Sequence, residues 1–506
     1  MQKVKSAATA LSLWFFIFLG ANAQSPQEFG KFAKQVLNDW QTPGAAVAVV
    51  QDDSIVFAQG YGVRTLGKAD KVDRNTLFAV ASNTKAFTAA LLGLLVDEGK
   101  IKWDDAVGTY RPDFQMFDPY VSRNLSFRDL LIHRSGLSTF GGDHLWIGHN
   151  LSRDEIISRL RYLEPTRSFR THFQYQNLMF LVAGEMIPTI TGQSWDEAMQ
   201  ETFFEPLGMK STNLSIRDLE GQSNVASPHE SVDGGPLQVI PYDFLDNIAP
   251  AAAINSNVMD MAQWMILNMN NGRYRDTQIL PENLINEMQR VQFPLGVSKM
   301  AAELLEAKFA GYGLGWGISE YNGYKSVGHG GGMSGMISQQ MMLPEKKLGV
   351  IVLTNRAPTT AHRILCYTLL DHYLGIEGRD WNQIYLQQKQ RREEYKTKRQ
   401  EKLYSERHLD TKPSLPLSSY VGTYSSLSSG KAKMNLKDGK LVFDYNARHI
   451  GTLEHWHYDT FRVHWKNPIS DMEPVTFLQF KLKESGDVKE LTVTFYDPLT
   501  FVRENE

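Results

Sequence analysis

The chain of 506 residues contains a single cysteine, Cys366, so no disulfide can form within it. An excess of charge is also missing, because 53 lysines and arginines oppose 56 acidic residues for a formal net charge of -3. This balance gives no electrostatic footprint for nucleic acid or for an anionic membrane surface. We therefore expect large hydrophobic cores to stabilise the fold, and no nucleic acid among its partners.

Apolar runs as long as a membrane-spanning helix are absent too, and the N-terminus carries a shorter apolar stretch. Residues 1–23 begin with two lysines, continue as an apolar stretch and end in an Ala-Asn-Ala sequence. A short apolar segment with these flanks is typical of a secretory signal peptide and is too short to span a membrane. We predict that residues 1–23 are a cleaved signal and that the mature chain has no membrane span. The protein should then be periplasmic or extracellular.

The remaining chain is longer than one hydrophobic core usually organises, and its composition changes twice. Residues 24–375 mix apolar β-type runs with helical patterns, which predicts an α+β domain. Residues 376–412 are rich in Gln, Lys, Arg and Glu, and their interspersed glutamates favour a charged helical linker over a basic patch. Short alternating segments in residues 413–506 predict a small antiparallel β domain.

Ser82 is followed by Lys85 and by an apolar helical run over residues 86–96. Residues three apart share one face of a helix, so the serine hydroxyl and the lysine amine can meet. Unpaired N–H groups at a helix start can stabilise an oxyanion, and burial would favour the free amine. The pattern suits a nucleophilic serine, although such a serine can also be an ordinary cap. A second Ser-x-x-Lys match, residues 428–431, lies in a Ser/Gly-rich turn without a helix behind it.

Two further stretches could complete such a site. Tyr175 and Asn177 lie in a loop before a predicted helix, where a phenol can relay a proton and an amide can donate and accept. His329 precedes three glycines, residues 330–332, which indicates that something approaches this backbone closely. His-Gly-Gly-Gly also occurs in α/β-hydrolases, but these pair it with Gly-x-Ser-x-Gly, and the chain has no such motif.

Other histidines offer weaker candidates. His133 could be a catalytic base, but its position at the end of a predicted helix favours an interaction with the helix dipole. The C-terminal segment carries His449, His455, His457 and His464, of which two alternate along one predicted strand. No carboxylate or cysteine shares their spacing, so we predict neither a metal site nor a cofactor.

In their order and spacing, the three motifs resemble the serine β-lactamase-like superfamily, specifically the branch of class C β-lactamases, esterases and D-amino-acid peptidases. The likeness covers about residues 27–375 and includes flanking stretches at 130–137, 206–209 and 260–264. It implies an antiparallel sheet flanked by helices, with a helical subdomain. The segment that opens at Tyr420 resembles the lipocalin-like β-barrel appended to some of these hydrolases.

The resemblance also implies roles for the first two motifs. Ser82 would be the nucleophile that forms an acyl-enzyme. Lys85 and Tyr175 would relay its proton to the leaving group, and which of them is the base in acylation stays open. Asn177 would orient Lys85 and the substrate amide.

The third motif carries the expectation about substrate. The N–H groups of Gly332 and Ser82 would form the oxyanion hole, and Gly330 and Gly331 would bind the substrate. His329 stands where lactam-specialised relatives commonly carry the lysine of Lys-Thr-Gly, so the charge that holds the drug carboxylate is missing unless a neighbouring arginine or asparagine substitutes. We expect a serine hydrolase for short-chain esters or D-amino-acid-containing peptides. The alternative is a β-lactamase or penicillin-binding protein that recognises β-lactams without efficient turnover.

Overall fold

The computed structural model describes residues 26–231, 235–466, 475–495 and 497–504. This part of the chain forms an α+β unit built on an eight-stranded antiparallel sheet, followed by a closed eight-stranded barrel. The predicted α+β class and the predicted C-terminal barrel are therefore confirmed. The predicted signal peptide lies outside the described residues. Within them, no helix is long and apolar enough to cross a membrane.

The strands of the large sheet come from both ends of the α+β unit. In chain order they are Gly44–Gln51 (β1), Ser54–Gly62 (β2), Phe293–Leu295 (β3), Ala310–Tyr312 (β4), Gly317–Tyr321 (β5), Tyr324–Met333 (β6), Met336–Leu343 (β7) and Leu348–Thr354 (β8). They lie in the order β2-β1-β8-β7-β6-β5-β4-β3, and each neighbouring pair is antiparallel. Strands β1 and β8, distant in sequence, therefore pair at the inside of the sheet.

Helices cover both faces of this sheet and form the subdomain beside it. The longer ones are Pro26–Asp39 (α1), Thr84–Asp97 (α2), Asn177–Thr191 (α3), Val258–Met269 (α4), Ala361–Leu374 (α5) and Trp381–Ser405 (α6). Shorter helices are Val107–Tyr110, Pro119–Asn124, Phe127–Leu131, Arg153–Arg159, Trp195–Met199, Glu205–Leu207, Ala249–Ala252, Glu282–Met288 and Lys299–Leu304. Small strand pairs join Phe78–Ala79 to Asn255–Ser256, His229–Ser231 to Leu237–Val239, and Arg273–Tyr274 to Thr277–Gln278.

Strands β1 and β8 separate two hydrophobic cores, because successive side chains point to opposite faces of a sheet. Val47 and Val352 pack under α1 and α5, whereas Ala48 and Ile351 belong to the larger core on the other face. All residues of β8 are buried, as expected for a strand covered on both sides. The sheet is thus covered by a hydrophobic core on each face.

Helix α2 lies at the centre of the larger core. Its residues are apolar nearly all round, and it is buried along most of its length, as its sequence predicts. Phe87 stacks on Trp264 of α4 with ring centroids 3.7 Å apart. The helix ends at Asp97; its C-cap is Glu98, and Gly99 follows with a φ of 72°. Lys85, in its first turn, is consequently held inside the protein.

The predicted linker, residues 376–412, contains α6. Its first residues are not solvated: Trp381 and Tyr385 are buried in the same core as α1 and α5. After Tyr385 the side chains of α6 are mostly exposed. The helix therefore starts as part of the α+β unit and then runs along its surface, and the exact domain limits stay a prediction.

The barrel follows as strands Gly422–Ser426 (β9), Gly430–Lys437 (β10), Lys440–Asp444 (β11), Ile450–His457 (β12), Thr460–Trp465 (β13), Thr476–Leu482 (β14), Val488–Thr494 (β15) and Pro498–Arg503 (β16). Pairing of β9 with β16 closes it, and Tyr420 and Tyr424 are buried in its interior. The Arg503 guanidinium donates to the carbonyl oxygens of Ser419 and Val421 at 2.8 and 3.0 Å. These bonds tie the last strand to the first turn of the barrel.

The glycines of β6 give a test of how closely this strand approaches the segment before α2. A Cβ at Gly331 would lie 2.0 Å from the carbonyl oxygen of Val80, whereas a Cβ at Gly330 would meet its nearest atom at 3.4 Å. We expect Gly331→Ala to destabilise the protein by about 2 kcal/mol, since backbone must move to make room. Gly330→Ala, the matched control, should change stability by less than about 0.5 kcal/mol. Urea unfolding of both variants measures this, and equal stability would contradict the close approach.

Candidate active site

Ser82 sits at a sharp turn that delivers it to the start of α2. The turn is the 3₁₀ segment Ala81–Asn83, and Ala81 has a φ of 47°, in the left-handed region that residues other than glycine rarely adopt. The Thr84 hydroxyl donates to the Ala81 carbonyl oxygen at 2.7 Å and fixes the turn. Ser82 itself stays partly exposed, while its neighbours are buried. A serine held this way presents its hydroxyl to an open groove.

The Lys85 amine lies against this hydroxyl, with Nζ 2.9 Å from Ser82 Oγ. Nζ also donates to Asn177 Oδ1 at 2.7 Å and to the Ala251 carbonyl oxygen at 3.0 Å, so three partners surround it. Burial disfavours the ammonium and lowers the pKa of Lys85 to about 7, although the charge of Asp143 opposes the shift. A large share of the molecules therefore carries a free amine beside Ser82 at neutral pH.

Tyr175 closes the other side of the pair. Its pKa lies above the ordinary tyrosine value because of burial, while a hydrogen bond with Ser82 acts in the opposite direction. Nζ of Lys85 lies 4.9 Å from the centre of its ring. The raised pKa means that Tyr175 is a neutral phenol at pH 7, in contact with both partners of a proton relay.

His133 supports the Tyr175 ring rather than the reacting groups. The two rings stack with centroids 4.2 Å apart, and His133 Nδ1 accepts from the Gln176 backbone N–H at 2.9 Å. Burial holds its pKa well below the ordinary histidine value. His133 is thus a neutral ring that packs against Tyr175, and the predicted interaction of a charged His133 with the helix dipole is not what holds it in place.

Asn177, the first residue of α3, connects Lys85 to a carboxyl group that the sequence did not reveal. Its Nδ2 donates to Asp143 Oδ2 at 2.7 Å while its Oδ1 accepts from Lys85. Asp143 is 2% exposed, and burial raises its pKa to about 7, with the nearby charge of Asp497 adding to the shift. Asp143 and Lys85 thus form a buried acid and base joined through one amide.

His329 lies on β6 with both ring nitrogens engaged. Nε2 is 2.9 Å from the Tyr312 hydroxyl, and Nδ1 is 2.6 Å from the Gly330 carbonyl oxygen. Burial lowers its pKa to about 3, so the ring is neutral at pH 7. The place where lactam-specialised relatives carry a lysine therefore carries no charge here.

The glycines after His329 lie against the Ser82 turn. The Ser338 hydroxyl of β7 donates to the Val80 carbonyl oxygen at 2.8 Å and accepts from Asn83 Nδ2 at 2.7 Å. These two bonds connect strand β7 to the turn. Gly332 has no atom within 4 Å of where a Cβ would stand, so this part of β6 is open. Ser82 and Gly332 line the same groove, as the predicted oxyanion hole requires.

The predicted site residues thus come together in one place. The groove has a volume of about 860 Å³, and those that line it are Ser82, Tyr175, Asn177, His329, Gly330, Gly331 and Gly332. Lys85 lies beneath it, bonded to Ser82. The other Ser-x-x-Lys match is unrelated, because Lys431 pairs with Glu504 at 2.9 Å on the barrel surface.

A second cavity, of about 410 Å³, adjoins the groove where the barrel meets the α+β unit. Asn177 and Gly332 line both spaces, and the barrel contributes Trp465 and Phe495 to the cavity wall. Its other lining residues are apolar and polar in about equal number, and Ile147 is one of the apolar ones. The barrel therefore supplies part of the surface next to the candidate nucleophile.

Polar contacts fix the barrel in this position. Arg448 donates to Asp243 Oδ1 at 2.9 Å and to the Ser334 hydroxyl at 2.8 Å. Asp497 accepts a hydrogen bond from Ser138, in the loop that also carries Asp143. These residues belong to segments far apart in sequence, and no local pattern marks them.

The C-terminal histidines are dispersed. The His449 ring lies 3.0 Å from Asn446 Oδ1, His455 Nε2 lies 2.9 Å from the Tyr458 carbonyl oxygen, and His464 pairs with Glu454 at 2.8 Å. Among the described residues, no group of three or more histidine, cysteine, aspartate or glutamate side chains is arranged to hold a metal ion.

Comparison with known proteins identifies the family. A family profile described as Beta-lactamase matches residues 29–374. The chain belongs to the beta-lactamase family. A second profile, described as a domain of unknown function (DUF3471), matches residues 406–504, the region of the barrel. The predicted resemblance and the prediction of a serine hydrolase are both confirmed.

Relatives and solved structures agree with this family. The chain is 31% identical over 424 residues to the unguisins hydrolase ungD' of Aspergillus campestris, covering 79% of this chain and 75% of that protein. It is 29% identical to the unguisins hydrolase ungD of Aspergillus violaceofuscus, covering 82% and 77%. The octameric penicillin-binding protein homologue from Pyrococcus abyssi matches with a TM-score of 0.63 at 20% identity, covering 94% of this chain and 99% of that one. The crystal structure of SurE matches with a TM-score of 0.55 at 18% identity, covering 94% of this chain and 98% of that one. These structures show the shared fold.

The Asp143 carboxyl gives a prediction for the pKa of Lys85. Asp143→Asn keeps an oxygen that can accept from Asn177 but removes the charge that raises the Lys85 pKa. We expect the pKa of Lys85 to fall further below about 7 in this variant. Asp260→Asn is the matched control, because burial also raises the pKa of Asp260 but its partners are Ser211 and Thr212. Titration of ¹³C-labelled lysine by NMR measures the shift, and an unchanged or raised Lys85 pKa in Asp143→Asn would contradict the coupling.

Proposed function

We propose that the protein is an exported serine hydrolase that cleaves ester or amide bonds in peptide-like substrates through an acyl-enzyme on Ser82. The single observation that carries the proposal is the 2.9 Å contact between Lys85 Nζ and Ser82 Oγ. It joins a buried amine with a pKa of about 7 to a hydroxyl that faces a groove. A serine becomes a nucleophile when a base at this distance takes its proton.

In the proposed reaction, the free amine of Lys85 removes the Ser82 proton as Oγ attacks the substrate carbonyl carbon. The carbonyl electrons move to its oxygen, and the N–H groups of Ser82 and Gly332 stabilise the negative charge. The carbon–oxygen or carbon–nitrogen bond to the leaving group then breaks. The leaving group receives the proton through the Tyr175 hydroxyl, and an ester on Ser82 remains.

Water completes the cycle by the same relay. Its proton passes to the amine of Lys85 as its oxygen attacks the ester carbonyl, and Ser82 recovers a proton as the acid product leaves. Asn177 acts in both halves by holding Lys85 Nζ through its Oδ1. Asp143 fixes the Asn177 amide from the other side, and is a positioning residue rather than a reacting one.

The size of the site supports peptide-like substrates over short-chain esters. The groove and the adjoining cavity, about 860 and 410 Å³, offer more room than a short acyl chain fills. The solved structure of SurE with D-Leu, a D-amino acid, agrees with a peptide-like substrate. Penicillin recognition is the alternative, and the neutral His329 disfavours it because no charge stands at that place to hold a carboxylate.

Export is part of the proposal. It rests on the basic start, apolar stretch and Ala-Asn-Ala end of residues 1–23. Sequencing the N-terminus of the protein recovered from a secreting host tests it. A start near Gln24 is expected, and a retained Met1 in the exported fraction would contradict cleavage.

Covalent labelling of Ser82 tests the reaction. Intact-mass spectrometry with an activated ester, a D-amino-acid peptide ester and a penicillin should show an acyl adduct on the wild-type chain with the first two. Ser82→Ala should lose the adduct and several orders of magnitude in kcat, because no other group forms the intermediate. Ser428→Ala, which removes the serine of the second Ser-x-x-Lys match, should keep both. Labelling that survives Ser82→Ala would overturn the proposal, and a stable penicillin adduct without ester turnover would establish the alternative.

A further inference from the structure

The groove that holds Ser82 continues away from the barrel, along α5 and α6. Besides the site residues, its lining includes Trp40, Arg363 at the start of α5, and a series of α6 residues from Tyr385 to Lys396. At 1.5 Å per residue, this part of α6 is roughly 16 Å long. The groove therefore extends well beyond Ser82 and Lys85. We call the part lined by Trp40, α5 and α6 its outer half, and α6 belongs to the segment predicted as a linker.

This outer half is strongly cationic. Its charged lining residues are one carboxylate, Glu393, and five cations, namely Arg356, Arg363, Lys389, Arg392 and Lys396. Glu393 lies 3.9 Å from Lys396 in an exposed pair that neutralises at most one of them. In the part of the chain that the structure describes, Arg363, Lys389 and Arg392 have no carboxylate within 4.0 Å.

The α6 cations that line the groove share one helical face. Tyr385, Lys389, Arg392 and Lys396 follow at spacings of four, three and four residues, so their side chains project together. Like charges at these spacings repel each other and do not stabilise a helix. A helix that only bridges two domains gains nothing from collecting them on the side that faces the groove. We call Lys389, Arg392 and Lys396 the cationic face.

Part of the cationic face is held in place by the fold. Lys389 Nζ lies 5.2 Å from the centre of the Trp40 ring, which positions its charge at the groove. Trp40 is anchored in turn, because its Nε1 donates to Asn382 Oδ1 at 2.9 Å. The buried start of α6 thus sets the direction of the exposed residues that follow.

We infer that the cationic face and Arg363 bind an anionic group of the substrate, such as a carboxylate, at a distance from the bond that Ser82 attacks. The inference rests on the proposed function, since it places this group in the Ser82 groove. His329, which lines the groove together with Ser82, supplies no such charge, because its imidazole is neutral. Preferred substrates are then long enough to reach from Ser82 to α6 and carry an anion at that end.

Matched substrate pairs test this inference. Each pair consists of peptide esters that differ only in a carboxylate or a carboxamide, placed on the acyl side or the leaving-group side at several spacer lengths. The wild-type protein should prefer the carboxylate member of at least one pair by about 10-fold in kcat/KM, and added salt should reduce this ratio. Equal kcat/KM for both members of every pair would overturn the inference.

Two double variants locate the effect. Lys389→Glu with Arg392→Glu should abolish or invert the carboxylate preference. Arg391→Glu with Lys398→Glu makes the same change in charge on the opposite face of α6, where the residues are exposed and do not line the groove. This control should keep the wild-type ratio, and a control that loses the preference equally would overturn the inference by showing a general charge effect.

The outcome is separable from that of the proposed function. Acyl labelling of Ser82 by an activated ester without a carboxylate preference refutes the anion subsite alone. Absence of Ser82 labelling with every ester refutes the proposed function, whatever the charge of the substrate. An unfolding midpoint equal to that of the wild type shows that a lost preference in the double variants does not come from lost folding.

Discussion

The site depends on the burial of one charged group. Lys85 is fully enclosed, and its amine contacts Ser82, Asn177 and the Ala251 carbonyl oxygen. Desolvation lowers the pKa of Lys85 to about 7. An exposed lysine has a pKa near 10.4 and would stay protonated at neutral pH. The apolar helix α2, the close approach of β6 and the strained Ala81 turn all serve to keep this amine buried beside a hydroxyl that stays accessible.

Segments outside the beta-lactamase domain complete the cleft. The barrel contributes Trp465 and Phe495 to a cavity that adjoins the Ser82 groove, and α6 contributes the cationic face to the groove itself. In the proposed function, the reacting groups and the surfaces that contact the rest of the substrate are carried by different parts of the chain. This division explains how a common catalytic arrangement can serve a particular substrate without change at the serine and lysine.

The sequence predicted the fold class and the barrel, and the local spacing of its motifs indicated the candidate reacting groups. Ser82 and Lys85 lie one helical turn apart, and Tyr175 lies two residues before Asn177, the first residue of α3. Asp143 was missed because its partner Asn177 is 34 residues away and no pattern surrounds it. The cationic face was interpreted as a solvated helix, since the sequence does not show which side of α6 turns towards the groove. Arg448 and Asp497 form hydrogen bonds across the contact between the barrel and the α+β unit, which local sequence patterns do not show.

The most direct test of this account is the pH dependence of kcat/KM for a neutral peptide ester. If the free amine of Lys85 is the base, kcat/KM rises tenfold per pH unit at low pH and levels off near pH 7, where the buried amine loses its proton. Because Lys85 and Asp143 interact, this apparent pKa belongs to the pair, and Asp143→Asn should move the limb to lower pH. A rate that keeps rising to about pH 10, or that does not change with pH, would contradict the account, because the amine would then be an ordinary lysine or no base at all.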